Sequence, residues 1–478
     1  MIQSIVSTTE FGNLYLYDDY QKMSLLIHPE LKKAHYKSEK VDPYYQGKYE
    51  YLKKYGFFSK PQMANLGEVN ETMVEEGIRN VPQIIFEVTD FCNLDCTYCG
   101  YGDLYKGHDI RNTSNINTQK AITFLKYVLN IKHKSKKSRL SIGFYGGEAL
   151  INIKFVKQIV AIAKQLNEGS DLKIQYSMTT NATLIDKYID FFVENEFDIS
   201  ISLDGNRENN SYRIYRNSRK NSFEKVIENV DMIYEKYKDY FINHINFISV
   251  LHDRNRVKDI HHFIYGKYHK APIIIGLATK DIDPKKKSFF NSMYREKKDS
   301  EREYLNDAGE DLYKDYYTSL VHNETKDFLN IYSINYYLSN LTSLLIAEEK
   351  YYPTSTCLPL GRKMFLTTKG YLLPCEKVSN KYCMGVVGEN VEIDISKITK
   401  QHIRYYKNLK KVCQNCYAYK FCGLCMYHIS NLDKLDTENF VCEYFYDQSD
   451  FSDKLYRVFS YLEKSPNKFF NILENSEK

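Results

Sequence analysis

Residues 84–99 read IIFEVTDFCNLDCTYC, an apolar run that gives way to three cysteines spaced C-x3-C-x2-C. Ile84-Ile85-Phe86-Glu87-Val88 has the composition of a buried strand, and Cys92, Cys96 and Cys99 fall in the loop that follows it. Downstream the same alternation continues. Helical spacing of apolar residues over 118–130 precedes a strand at 140–144, a helix over 152–167 and a strand at 173–178. A helix over 185–195, a strand at 199–203, a helix over 222–237 and a strand at 245–250 come next. A helix over 257–265 and a strand at 272–277 close the set. Six strands separated by five helices predict right-handed βαβ units on a parallel sheet.

In such folds ligands gather at the carboxyl ends of the strands. The residues with chemistry lie there. The cysteine loop follows the first strand, Gly146-Gly147-Glu148 the second, Thr180-Asn181 the third and Leu203-Asp204-Gly205 the fourth.

The chain has 478 residues, enough for two to four domains, with 43% hydrophobic and 27% charged residues. Its net charge of +5 comes from 66 basic and 61 acidic residues, a balance that gives no reason to expect nucleic acid as a partner. Lysine-rich runs such as 132–137 read as solvated loops. No apolar run reaches membrane-spanning length and the first residues lack the pattern of a signal peptide, so no membrane association and a cytoplasmic location are expected.

In that compartment thiols stay reduced, and clustered cysteines point to metal rather than disulfides. Of 11 cysteines, three fall within 92–99 and eight between Cys357 and Cys442. Three thiolates on one short loop suit a [4Fe–4S] cube, leaving its fourth iron without a protein ligand. The rival is zinc, with His108 available as a fourth ligand.

C-x3-C-x2-C with aromatic Tyr98 before its last cysteine, followed by Gly146-Gly147-Glu148 after the second strand, resembles the radical S-adenosylmethionine (SAM) superfamily. The resemblance implies that Cys92, Cys96 and Cys99 hold the catalytic cluster. Its open iron would bind SAM, and an electron from it would cleave SAM to a 5′-deoxyadenosyl radical that abstracts a substrate hydrogen. It also implies a cofactor site made of Tyr98, Gly146, Gly147, Glu148, Thr180, Asn181, Ser202, Asp204 and Arg213. There the glycines would allow close backbone approach to the ligand. Glu148 would accept from the SAM ammonium, Ser202 and Asp204 would meet carboxylate or ribose hydroxyls, and Arg213 would pair with the SAM carboxylate.

Cys357, then Gly370 and Cys375, then Cys413-x2-Cys416-x5-Cys422-x2-Cys425 and finally Cys442 resemble the SPASM domain of peptide-modifying radical SAM enzymes, which holds two auxiliary [4Fe–4S] clusters. The last short pair is one residue shorter than the usual x3. The resemblance assigns Cys413, Cys416, Cys422 and Cys442 to an outer cluster, and Cys357, Cys375 and Cys425 to an inner one. Cys383 is either the fourth inner ligand, with that iron otherwise open to substrate, or a bystander. A pair of zinc sites is the rival here too.

The expected fold class is α/β: a partial (β/α)6 radical SAM barrel with an N-terminal α+β unit and a C-terminal cysteine-rich auxiliary-cluster domain. The segments are 1–80, resembling a leader-peptide recognition unit; 81–280, the radical SAM core; and 281–349, a charged linker with helices. The SPASM module spans 350–450 and a helical tail 451–478. The cofactors implied are three [4Fe–4S] clusters and SAM. The partners implied are a precursor peptide with its leader and a flavodoxin- or ferredoxin-type reductant. The function implied is maturation of a ribosomally made peptide by hydrogen abstraction and cross-linking. Its alternatives are an anaerobic sulfatase maturase forming formylglycine and a non-catalytic iron–sulfur or zinc partner in binding or electron transfer.

Overall fold

The computed structural model describes residues 4–37, 40–59, 66–106, 113–135, 139–308, 320–333, 352–420, 422–437 and 440–474. His108 and most of the segment between 309 and 351 lie outside the described residues. The chain divides into two compact units, one of residues 1–68, 309–356 and 403–478, the other of 69–308 and 357–402.

The larger unit is built on the six expected parallel strands: β4 (Gln83–Thr89), β5 (Arg139–Gly146), β6 (Lys173–Thr180), β7 (Asp198–Ser202), β8 (Ile245–Leu251) and β9 (Ile273–Gly276). They pair in sequence order, so every connection is a short crossover through one helical layer. The helix Thr118–His133 shows how the chain encodes that layer. Asn117 caps it by accepting from Lys120 N at 3.0 Å, and Ala121, Phe124, Leu125, Val128 and Leu129 form its buried stripe. Phe86, Phe144 and Phe197 stack at 6.1 and 5.9 Å on the same side of the sheet. Fully burying side chains of this size stabilises by about 1.5–3 kcal/mol each.

On its other edge β4 pairs in parallel with β10 (Met364–Leu366), which continues into an antiparallel meander of β11 (Tyr371–Leu373), β12 (Gly385–Val387) and β13 (Val391–Glu392). Gly370 makes the tight turn of the β10–β11 hairpin at φ +89°, a backbone state that side chains resist. The first half of the sequence segment 350–450 is therefore an extension of the main sheet. Ile85, Phe365 and Leu373, with Tyr145, pack together on the face opposite Phe86.

Two readings of the sequence change in this unit. The stretch 62–80, whose polar composition and weak apolar periodicity predict a connector, contains the helix Glu71–Arg79, capped by Asn70 accepting from Met73 N and burying Val74 and Ile78. The charged stretch 279–305, whose scarcity of core-type residues predicts a surface excursion or linker, forms the helices Lys287–Met293 and Lys297–Ala308. Phe290 and Met293 from the first pack with Tyr98, Tyr105 and Tyr212 around the cysteine loop.

The smaller unit carries an antiparallel sheet in the order β1 (Ile5–Thr8), β2 (Leu14–Asp18), β3 (Met23–Ile27), followed by the helices Pro29–His35 and Pro43–Lys54. The sequence predicts short strands at 14–17 and 24–27 and helices around 31–36 and 46–55, which these elements match; β1 is additional. Ile5 and Tyr17 share one core with Phe328 and Tyr332 and with Phe451, Leu455 and Val458 of the helix Gln448–Lys464. The N-terminal and C-terminal segments of the sequence are thus parts of one unit. Among the described residues no helix is long and apolar enough to cross a membrane.

Candidate active site at the carboxyl ends of the strands

The chain leaves β4 at Thr89 and enters the loop that carries Cys92, Cys96 and Cys99. A second loop after β7 zips onto it through backbone bonds. Asp95 N donates to Ile214 O at 2.8 Å, Arg216 N to Asn93 O at 2.9 Å and Thr97 N to Tyr212 O at 3.3 Å. Arg216 adds a side-chain bond to Cys92 O at 3.2 Å. The cysteine loop is therefore held along its length by a non-local partner.

The three thiols face one another. Burial pushes the Cys96 thiol well above its usual range; the guanidinium of Arg213 opposes that, while Cys99 and Cys92 add to it. Cys92, 9% exposed, also receives Leu94 N at 3.4 Å and Asn181 Nδ2 at 3.8 Å. Thiols gathered on one loop, with N–H donors aimed at the Cys92 sulfur, suit metal, because binding exchanges thiol protons for cationic charge. The donor set fits an iron–sulfur cube at Cys92, Cys96 and Cys99.

Gly146 and Gly147 bring the end of β5 against the cysteine loop. Gly147 N donates to Thr89 O at 2.8 Å and Glu148 N to Phe91 O at 2.9 Å, so the end of β5 lies against the start of the cysteine loop. A Cβ on Gly147 would lie 2.0 Å from Phe91 O, and one on Gly146 2.3 Å from Thr89 O. The glycines permit backbone to approach backbone.

Glu148 is 1% exposed. Its Oε1 accepts from Thr180 Oγ1 at 2.7 Å and Leu150 N at 3.1 Å, and its Oε2 from Asn181 N at 2.7 Å. A carboxylate has about four acceptor directions, so one on Oε2 remains for a ligand donor such as an ammonium. Burial raises its pKa above the usual carboxylate value, against the pull of those three bonds. Asn181 bridges onward to Asn93 Oδ1 at 2.9 Å. Glu148, Thr180 and Asn181, predicted separately, thus form one cluster with the cysteine loop. Ser202 ends β7, half-buried on the face opposite the buried Ile199 and Ile201.

Asp204 and Arg213, expected at the ligand, hold each other. Arg213 Nε and Nη2 donate to Asp204 Oδ2 and Oδ1 at 2.9 Å each. Burial alone would raise the Asp204 carboxyl, but the guanidinium holds it down at about 2, so it stays ionised across any working pH. The phenol of Tyr98 donates to the same carboxylate. His252, just past β8, stacks on Tyr98 at 5.5 Å and was not singled out from the sequence. Its position after a strand's carboxyl end was the signal available for it.

The later cysteines divide between the units. In the larger, Cys357 and Cys375 are half-buried, while Cys383 is exposed and donates to Gly385 O at 3.0 Å. In the smaller are Cys413, Cys416, Cys422, Cys425 and Cys442. Burial pushes the Cys413 thiol upward, and so does facing Cys416, Cys422 and Cys442. Cys442 in turn faces Cys416 and Cys422. Cys416 receives Tyr446 N at 3.4 Å. The four cysteines assigned to an outer cluster therefore come together, with a donor to sulfur as in the first loop. Among the described residues no three His, Cys, Asp or Glu side chains surround a single metal-ion position. A cube distributes its thiolates over separate irons.

The family model of the radical SAM superfamily matches residues 86–264. A cysteine-type anaerobic sulfatase-maturating enzyme of Clostridium novyi (strain NT) is 27% identical over 380 residues, 77% of this chain and 94% of its own length. The radical SAM cyclopropyl synthase TigE of Paramaledivibacter caminithermalis is 29% identical over 184 residues, 37% of either chain. The solved structure of native anSMEcpe with bound AdoMet superposes with a TM-score of 0.52 over 83% of this chain and 100% of that one, at 21% identity, a likeness of fold.

Proposed function

Because this chain is a radical SAM enzyme homologous to the anaerobic sulfatase-maturating enzymes, we propose that it matures a ribosomally made precursor peptide, abstracting a hydrogen and closing a thioether, carbon–carbon or ether cross-link. When bound, the cluster and SAM supply the 5′-deoxyadenosyl radical. The protein's part is binding, orientation and exclusion of water. Glu148, tied to Asn181 and the cysteine loop, offers a single acceptor direction to an ammonium, and the Tyr145–Phe365 pair gives the neighbouring face an apolar wall. A flavodoxin- or ferredoxin-type protein is the reductant we assign.

The observation that carries the reading is the co-occurrence of the radical SAM loop with a second set of gathered thiols, Cys413, Cys416, Cys422 and Cys442. We assign three [4Fe–4S] clusters to the chain on its cysteine pattern. Anaerobic reconstitution should then give about twelve irons per chain. Zinc in place of iron, or about four irons, would remove the auxiliary clusters from the proposal.

Sulfatase maturation is the second reading, supported by the match to 94% of the Clostridium novyi enzyme's length. About a quarter of this chain lies outside that match, and a leader-binding unit is one use for the additional residues. The two readings part in the product. With SAM and reductant, a peptide encoded beside the gene should lose two hydrogens and no other atom. A sulfatase-derived peptide gaining an aldehyde oxygen in place of its cysteine sulfur, with the neighbouring peptide untouched, would reverse the order.

For the leader we assign the edge strand β3, where Leu26 is 64% exposed and an extended peptide could add main-chain bonds. Removing residues 1–68 is a poor test, because it strips Ile5 and Tyr17 from a shared core. Leu26→Asp is milder. Calorimetric titration should show leader affinity falling about tenfold or more, with iron content and substrate-free SAM cleavage unchanged. Unchanged affinity would take the leader away from this edge.

A further inference from the structure

We infer that Asp204 is a positioning residue for the catalytic cluster, acting through Tyr98 and Arg213 rather than by touching SAM. The inference rests on a cluster at Cys92, Cys96 and Cys99, and it concerns a residue expected at the ligand. Asp204 is 0% exposed and its carboxylate is filled by the protein. Oδ1 accepts from Arg213 Nη2 and from Val250 N, both at 2.9 Å; Oδ2 accepts from Arg213 Nε and from the Tyr98 phenol. His252 Nε2 stands 3.8 Å from Oδ2. One side chain thus ties together the end of β8, the loop after β7 and the cysteine loop.

Tyr98 lies between Cys96 and Cys99, so its phenol bond fixes the turn that presents both sulfurs. The turn is also held by Cys99 N donating to Cys96 O at 3.0 Å and by Thr97 N donating to Tyr212 O at 3.3 Å, and the phenol bond is its one side-chain tie to Asp204. Arg213 is the second half of the device. Its guanidinium lies 5.5 Å from the centre of the ring of Tyr98, the residue that sits between Cys96 and Cys99. An isolated buried cation there would be strongly unfavourable, and Asp204 is what allows Arg213 to remain. Cation and anion both stand beside the tyrosine of the turn that carries the sulfurs, so the field at the cluster depends on both.

Asp204→Asn keeps the shape and removes the anion. A cluster becomes more negative on reduction, so losing a nearby negative charge favours the reduced state. At a fixed applied potential the reduced-to-oxidised ratio should rise about tenfold, a midpoint about 59 mV higher for one electron. The measurement is an anaerobic potentiometric titration without SAM, followed by the electron paramagnetic resonance signal that changes when SAM is later added. That signal also reports whether the wild-type loop carries a SAM-binding cluster, which separates failure of the premise from failure of the inference. A wild-type midpoint in Asp204→Asn, or weakened SAM binding with a wild-type midpoint, overturns the electrostatic role.

Tyr98→Phe keeps the ring and the Asp204–Arg213 pair while removing the phenol bond. Its midpoint should stay near that of the wild type, while iron from this cluster passes to a chelator several-fold faster. Equal rates overturn the positioning role, and this variant stands even where Asp204→Asn fails to load its cluster.

Discussion

Cys96→Ala should bring release of 5′-deoxyadenosine down to that of a protein-free control. The thiol of Cys96 faces those of Cys92 and Cys99 on a loop pinned by Ile214, Tyr212 and Arg216, so no other cysteine of that loop can take its place. Two thiolates do not retain a cube that already lacks a protein ligand at one iron. Cys413, Cys416, Cys422 and Cys442 belong to a different compact unit with its own core, so the loss stays local. Iron should fall by about four per chain from about twelve, and the remaining visible absorbance should persist. Release of 5′-deoxyadenosine at the wild-type rate would mean that this loop is not the catalytic one.

Gly147→Ala should be nearly as damaging, although it removes no chemistry. Its Cβ would stand 2.0 Å from Phe91 O and 2.4 Å from Phe91 C, which are backbone atoms with no rotamer to retreat into. The end of β5 must then withdraw, breaking Gly147 N to Thr89 O and Glu148 N to Phe91 O. Overpacking of this kind costs about 1–3 kcal/mol or more, and each lost bond about 1 kcal/mol. Glu148 moves with the strand end and leaves Asn181, so SAM affinity should fall at least about tenfold in equilibrium dialysis. Gly100→Ala is the contrast: it sits beside Cys99, yet its Cβ would meet nothing within 4 Å. Wild-type SAM affinity and iron content in Gly147→Ala would show that the strand end and the cysteine loop do not depend on each other.

That contrast bears on how much the sequence discloses. Gly146-Gly147-Glu148 was legible as a motif and as the end of a strand, because the alternation around it is local. What the glycines approach was not legible, since Thr89 and Phe91 are more than fifty residues earlier in the chain. The pairing of Asp204 with Arg213 was illegible for a different reason, since the two lie only nine residues apart. Each was recognised as chemically significant, and each was expected at the ligand, yet the structure gives the first charge to the second. Two opposite charges buried side by side pair with each other, and no local periodicity announces that pairing.

By itself the sequence determined the six parallel strands, most of the helices between them and the placement of the cysteine loop at a strand's carboxyl end. Those features follow from backbone periodicity and short-range spacing, which any stretch of chain carries on its own. The resemblance of the later cysteines to a known auxiliary-cluster pattern also pointed to Cys413, Cys416, Cys422 and Cys442, which meet in the smaller unit. Only the tertiary structure decided the rest. It buried Phe290 and Met293 of a charged segment beside Tyr98, added β10 to the edge of β4, and joined Tyr17 to Phe451 across most of the chain. These are choices of partner rather than of local conformation. An apolar side chain or a buried charge has no preferred sequence distance at which to find its complement, and the whole chain must fold before the pairing that buries most and leaves least unsatisfied is selected.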